Sequence, residues 1–370
     1  RNGVDRAMTI SMRAIQVDAI AGNDYVMQLA DGDSRILPVA VVDPRAVTHL
    51  DVLIDRALSG NAVALAFHMT AIPVPLGSRL FCRALDRAIA SGKPLIFVAN
   101  EAGQLSQIAE LTANLGCSRI LLAGVSYHHL GELLVLLEEF SHIHVETSWQ
   151  VSPGAIELLA DIGARDRVLY GSMAPIRPMR PPLNMIADAD LPRDLKADML
   201  AGNALRFLGL QAEVENWMES VPEVEGLPSV PAIDLHCHLG AMPEQPSTCL
   251  GARQMQREYE RFNIEFGIVS ATAAYKDDLE TGNRGMLAEV ETHSRLRGSV
   301  GVNPHHWDDS IRWMDLAVGR PDILHVTINP SSTYEPFDSS LWVKLFAEAA
   351  ARRLPVFYNT PGQDAFRRSP

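Results

Sequence analysis

The segment PAIDLHCHLG, residues 231–240, ends an apolar run with Asp234, His236 and His238 at alternate positions. Residues two apart in a β-strand project from the same face. The pattern therefore predicts a carboxylate and two imidazoles on one side, with Leu235 and Cys237 on the other. Two neutral imidazoles suit Zn²⁺ or another divalent ion, and an ion with an open position lowers the pKa of its bound water. Asp234 fits better as a group that orients a ligand imidazole than as a ligand itself. The competing reading of the strand is a pair of hydrogen-bonded histidines without a metal.

Such side chains need a scaffold, and the chain has the material for one. Its 370 residues are 47% hydrophobic and 21% charged, which suits two or three globular domains or one large barrel with additions. A formal charge of −13 speaks against a nucleic-acid partner. No apolar run reaches membrane-spanning length, since stretches such as GELLVLLEEF are broken by acids. Cys82, Cys117, Cys237 and Cys249 lack paired spacing, which points to free thiols in a reducing compartment and so to the cytoplasm. The opening RNGVDRAMTI has neither an initiator Met nor a signal pattern and reads as the entry to a strand inside a fold.

Short β-rich runs (DRAMTISM, RILPVAVVDP, NAVALAFH, KPLIFVAN, SRILLAGV, HIHVETS, RVLYGSM) alternate with helical stretches that are apolar on one face. That alternation implies parallel strands covered on both faces. A Pro-rich stretch, PEVEGLPSVPA, then reads as a linker, and the pattern begins again. It begins as a repeat. Gly22-Asn23 falls on Gly282-Asn283, Ser34-Arg35 on Ser294-Arg295 and Pro44 on Pro304, all 260 residues apart, and Pro94 falls on Pro355 at 261. Projected through this offset, the first copy lacks its first strand and the second lacks its last three.

IDLHCHLG resembles the Asp-x-His-x-His first strand of the amidohydrolase superfamily, in its branch of small (β/α)₈ barrels with decarboxylases, hydratases and hydrolases. GVDRAMTI, VVDP, GKPLIF, SRILLAGVS, HIHVETS and the closing GARDRVLYGSMAP with MLAGNALRFLGL resemble that branch's later landmarks in order. The resemblance implies first-strand histidines on Zn²⁺ or a similar ion, a His from each of strands five and six, and an Asp after Gly-Ser on strand eight. The first copy offers Val98 or Asn100, Gly124 and Met173 at those places, so it is expected to be catalytically dead. The second copy keeps Asp234, His236 and His238 and offers Asn359 on its fifth strand.

Other groups have plainer readings. His305 and His306 in NPHHW, and the histidines of YHHL, read as surface residues, and His68 faces either the mouth or the core. Glu146 is either a mouth carboxylate or a buried hydrogen-bonded one. RPMRPP, 177–182, reads first as a stiff loop with solvated arginines and second as an anion clamp. The expectation is an α/β chain of two tandem TIM barrels: residues 1–214, a linker at 215–230, and residues 231–370 carrying strands one to five. The expected function is metal-dependent hydrolysis of a small molecule in the second barrel, with a possible homo-oligomer. The alternatives are decarboxylation of a small carboxylic acid and an inactive scaffold or binding subunit.

Overall fold

The computed structural model describes residues 3–116, 119–210, 230–241, 251–333, 335–336 and 338–359. The linker expected at 215–230 lies outside the described residues save for Val230, as do Cys117 and Cys249. The chain divides into two compact units, Arg1–Glu225 and Gly226–Pro370.

Unit 1 is a seven-stranded parallel sheet in sequential order: β1 (Ala7–Thr9), β2 (Ile36–Val41), β3 (Ala64–His68), β4 (Leu95–Val98), β5 (Ile120–Ala123), β6 (Ile143–Glu146) and β7 (Val168–Leu169). Strands such as β4, LIFV, are buried along their whole length because both faces are covered. On one face lie helices with apolar residues at helical spacing, for example Phe81, Ala84, Leu85 and Ala88 of Arg79–Ala90. Phe67 of β3 and Phe97 of β4 stack at 5.2 Å beside Phe81 in this layer. On the opposite face Val39, Ala64, Ala66, Ile96, Leu121 and Leu169 form a separate apolar layer. Phe207, from the helix Asn203–Leu208, fills its centre.

Unit 2 is a five-stranded parallel sheet, again sequential: β8 (Ala232–Leu239), β9 (Ile264–Ala271), β10 (Leu296–Val302), β11 (Ile323–Ile328) and β12 (Val356–Tyr358). Val300, Val326, Ile328, Trp313 and Trp342 belong to its main core. The sheet curls: His236 on one edge strand stacks against Phe357 on the other, with ring centroids 4.2 Å apart.

The two units share detail well below the level of fold. Asn23, on the helix Ala19–Gly32, donates to Val41 O at 2.9 Å and accepts from Val41 N at 2.8 Å. Asn283, on the helix Leu279–Thr292, makes the same two bonds to Gly301 at 2.9 and 2.8 Å. Asp18 caps the first helix through Ala21 N, and Asp278 caps the second through Thr281 N, both at 2.7 Å. A side chain at Gly22 would fall on the backbone of Ala14, and one at Gly282 on that of Ala274. Strand registers correspond as well. Val39 pairs with Ala64 where Ser299 pairs with His325, and Ala66 pairs with Ile96 where Thr327 pairs with Phe357.

Candidate functional site

β8 carries the most reactive residue types, and its geometry departs from simple alternation. Its register against β9 slips between Asp234 and Cys237, so the two ends of the motif no longer share a face. Asp234 accepts from its neighbour His236 N at 3.1 Å, and Tyr259 OH lies 3.4 Å from its other oxygen. The same Tyr259 hydroxyl sits 2.6 Å from Cys237 Sγ. The carboxylate thus groups with Cys237 and Tyr259, which corrects the expectation that it faces the same way as the histidines. Burial pushes the Cys237 thiol up, and the Tyr259 hydroxyl engages its sulfur.

His236 and His238 do come together, with ring centroids 4.5 Å apart and planes at 83°. Tyr275 OH lies 2.5 Å from His238 Nδ1, and Ser270 Oγ lies 3.3 Å from it. When Nδ1–H donates to either hydroxyl oxygen, the Nε2 lone pair is left for a Lewis acid. Burial, and secondarily the charge on His236, depresses His238 to about 4. His236 is also lowered by burial, with Asp234 opposing. Both imidazoles are neutral at physiological pH, as metal ligation requires.

The residues around this pair escape a motif search. On the inward face Ser299 Oγ bridges His325 Nδ1 and Thr327 Oγ1, at 2.7 Å each. Phe357 lies between two imidazoles, stacked on His236 at 4.2 Å and near-parallel to His325 at 5.6 Å. The available signal was the alternation of His325 and Thr327 in ILHVTI, at strand positions where unit 1 has Ala64 and Ala66. Asn359 follows β12, its backbone N–H donating to Ile328 O at 3.0 Å. His305 and His306 lie on an exposed loop, with His305 Nε2 3.6 Å from Glu335. Among the described residues, no group of three or more His, Cys, Asp or Glu side chains converges for an ion. The His236–His238 pair therefore fits two positions of a metal site.

At the corresponding strand ends of unit 1 the donor set does not fit a metal. Gly124 N donates to Glu146 Oε1 at 2.7 Å, and Ser148 binds the same carboxylate through N and Oγ, each at 2.7 Å. A side chain at Gly171 would collide with Glu146, so the carboxylate fills the space between β5 and the turn after β7. Burial raises its pKa, while these donors and the charge of Arg177 pull it back. Glu146 is thus a buried, satisfied carboxylate. Met173 Sδ accepts from Trp149 Nε1 at 3.1 Å and faces Gly124. Arg177 lies 3.8 Å over the Trp149 ring and donates to Ser148 O at 3.1 Å. That corrects the reading of Arg177 as solvated. Asn100 Oδ1 accepts from Ser126 N, and the half-buried His68 accepts from Ala71 N through Nδ1. His128 and His129 form a turn ahead of the helix Leu130–Glu139.

Residues 7–210, more than half of the chain, match the family described as Amidohydrolase. The chain belongs to the amidohydrolase family. Membership places it among enzymes, yet the match falls within unit 1 and stops short of His236 and His238. Solved structures similar to this amidohydrolase include an uncharacterized TIM-barrel protein of Bordetella bronchiseptica, at 13% identity over 57% of this chain and 80% of the other, with a TM-score of 0.46. A 5-carboxyvanillate decarboxylase of Sphingomonas paucimobilis matches at 16% identity over 56% and 80%, TM-score 0.46. A dihydroxybenzoic acid decarboxylase of a Polaromonas species, solved with manganese and 2-nitroresorcinol, matches at 13% identity over 56% and 83%, TM-score 0.44. No curated protein matches the chain. No helix among the described residues is long and apolar enough to cross a membrane.

Proposed function

We propose that this amidohydrolase is a metal-dependent hydrolase of a small molecule, with its ion in unit 2 and unit 1 as a structural partner. The observation that carries the reading is the pair of half-buried, neutral imidazoles, His236 and His238, on one side of β8. These two would hold the ion, and Asn359 is a further candidate donor at the end of β12. A bound Zn²⁺ or similar ion would supply Lewis acidity and a water of lowered pKa. The chain's own residues prepare for it: Tyr275 and Ser270 hold the His238 ring, and Phe357 holds that of His236. The same donors would serve decarboxylation by polarising a carboxylic acid.

The division of labour rests on a second proposal, that the units are tandem copies of one barrel. The repeated Asn–strand bonds, Asp caps and strand registers support it. Unit 1 then has Glu146, Met173 and Trp149 where an ion would sit. The reading implies a small-molecule substrate, a cytoplasmic location and no nucleic-acid or membrane partner. Elemental analysis of the full chain purified without chelators tests it, with about one divalent ion per chain expected. A chain free of metal would favour the scaffold reading instead.

A further inference from the structure

The inward faces of the two units differ at matched positions, and His325 stands out among them. Where unit 1 has Val39, Ala64, Ala66 and Ile96, unit 2 has Ser299, His325, Thr327 and Phe357. At these four positions unit 1 carries apolar side chains, while elsewhere its inner layer holds His144 against Phe207, so the fold does not need a histidine at the position of His325. His325 is only 9% exposed. Its Nδ1 is held by Ser299, itself held by Thr327, while Nε2 is buried without a hydrogen-bond partner. The Phe357 ring, meanwhile, is stacked on both the His325 and the His236 imidazoles.

His325 therefore bears on His236 through the ring of Phe357. We propose that His325 is a positioning residue for His236: braced by Ser299 and Thr327, it holds the Phe357 ring on which the His236 imidazole is stacked. This rests on the reading of His236 and His238 as metal ligands. At the matched position unit 1 packs with Ala64. A residue kept for orientation would tolerate the burial of a polar ring, because that ring is the group β11 presents to Phe357.

The test uses the full chain, depleted of metal, with Zn²⁺ alone as the probe. Two variants are compared with the parent: His325→Ala, the residue at the matched position of unit 1, and His325→Gln, which keeps a polar side chain beside Ser299. Three quantities are read: Zn²⁺ affinity, the ring resonances of His236 by NMR, and the urea midpoint. His325→Ala is expected to weaken Zn²⁺ binding about 10- to 100-fold and to move the His236 resonances, with the urea midpoint unchanged or higher. His325→Gln should recover part of the affinity. Parental affinity and unmoved His236 resonances in the Ala variant would overturn the proposal. Should the parent itself bind no Zn²⁺, the metal reading fails separately, and the His236 resonances alone decide the positioning claim. If the Ala variant does not fold, Ser299→Val, which removes the brace on Nδ1, takes its place: weakened Zn²⁺ binding and moved His236 resonances support the proposal, and parental values of both overturn it.

Discussion

In unit 1 the inward layer of Val39, Ala64, Ala66, Ile96, Leu121 and Leu169 closes around Phe207. In unit 2 matched strand positions present Ser299, His325 and Thr327, with His236 and His238 beside them. The backbone registers are alike, so the contrast lies in the side chains that the same strands carry. An apolar layer gains from every buried methylene, whereas a buried imidazole must find partners or be used. Unit 1 also satisfies its own mouth: Glu146 is bound by Gly124 and Ser148, and Met173 by Trp149. One unit has turned its interior to packing. Its inward His144 packs edge-on against Phe207, whereas unit 2 gathers His236, His238 and His325 into one cluster with Phe357.

The sharpest way to break this contrast is to remove the imidazoles. Changing His236 and His238 together to Ala should take the ion content of the full chain from about one to none, since two ligands of a four-coordinate site are lost. Elemental analysis checks it, and retained metal would place the ion elsewhere. A metal-bearing unit 1 would erase the comparison.

Acid should separate the interiors next. His238 titrates near 4 when folded, against an ordinary value of 6.5, so the unfolded chain binds a proton that the folded one refuses. Stability is therefore fully present above pH 6.5 and falls as pH drops towards 4, by on the order of 3 kcal/mol from this residue. His236 and His325 shift in the same direction. Glu146 in unit 1 works oppositely, because burial raises its pKa and acid relieves an unfavourable charge. Urea denaturation of the chelated chain at pH 7 and pH 4.5 reads the difference, and a pH-independent unit 2 would contradict it.

A matched pair of substitutions probes what the units share. Asn23→Ala and Asn283→Ala each remove two buried bonds to a strand backbone. Each should cost about 2 kcal/mol, the range for leaving buried backbone groups unpaired. Equal losses in the urea midpoint of the respective units would sharpen the case for duplication, and a neutral outcome at one site would weaken it.

The smallest effect is expected at Met173. Met173→Asp would put a carboxylate beside Gly124 and near the buried Glu146, with the Trp149 indole deprived of its sulfur partner. Arg177 is close but already engaged with Trp149 and Ser148. A loss of about 1–2 kcal/mol and no gain of metal should follow. Metal uptake by this variant would show that unit 1 still holds a usable ligand set.

Much of this was legible in the chain itself. Seven apolar strands in unit 1 and five in unit 2 follow from the alternation of strand and helix patterns, because a parallel strand buried on both faces must be apolar throughout. The 260-residue offset located Asn23 and Asn283 as a pair, although not what they bind. The motif at 234–238 drew attention to β8. Periodicity alone put Asp234 with the histidines, and there it failed. A register slip leaves no mark on an alternating pattern, since it depends on how β8 meets β9 and on Tyr259 reaching both Asp234 and Cys237. Likewise Glu146 could be read as a mouth acid or a buried one until Gly124 and Ser148 were seen to converge on it from two strands. His325 carries no motif at all. Only the curl of the sheet brings it, Phe357 and His236 into one stack, because contacts between distant strands are made by tertiary geometry and not by spacing along the chain.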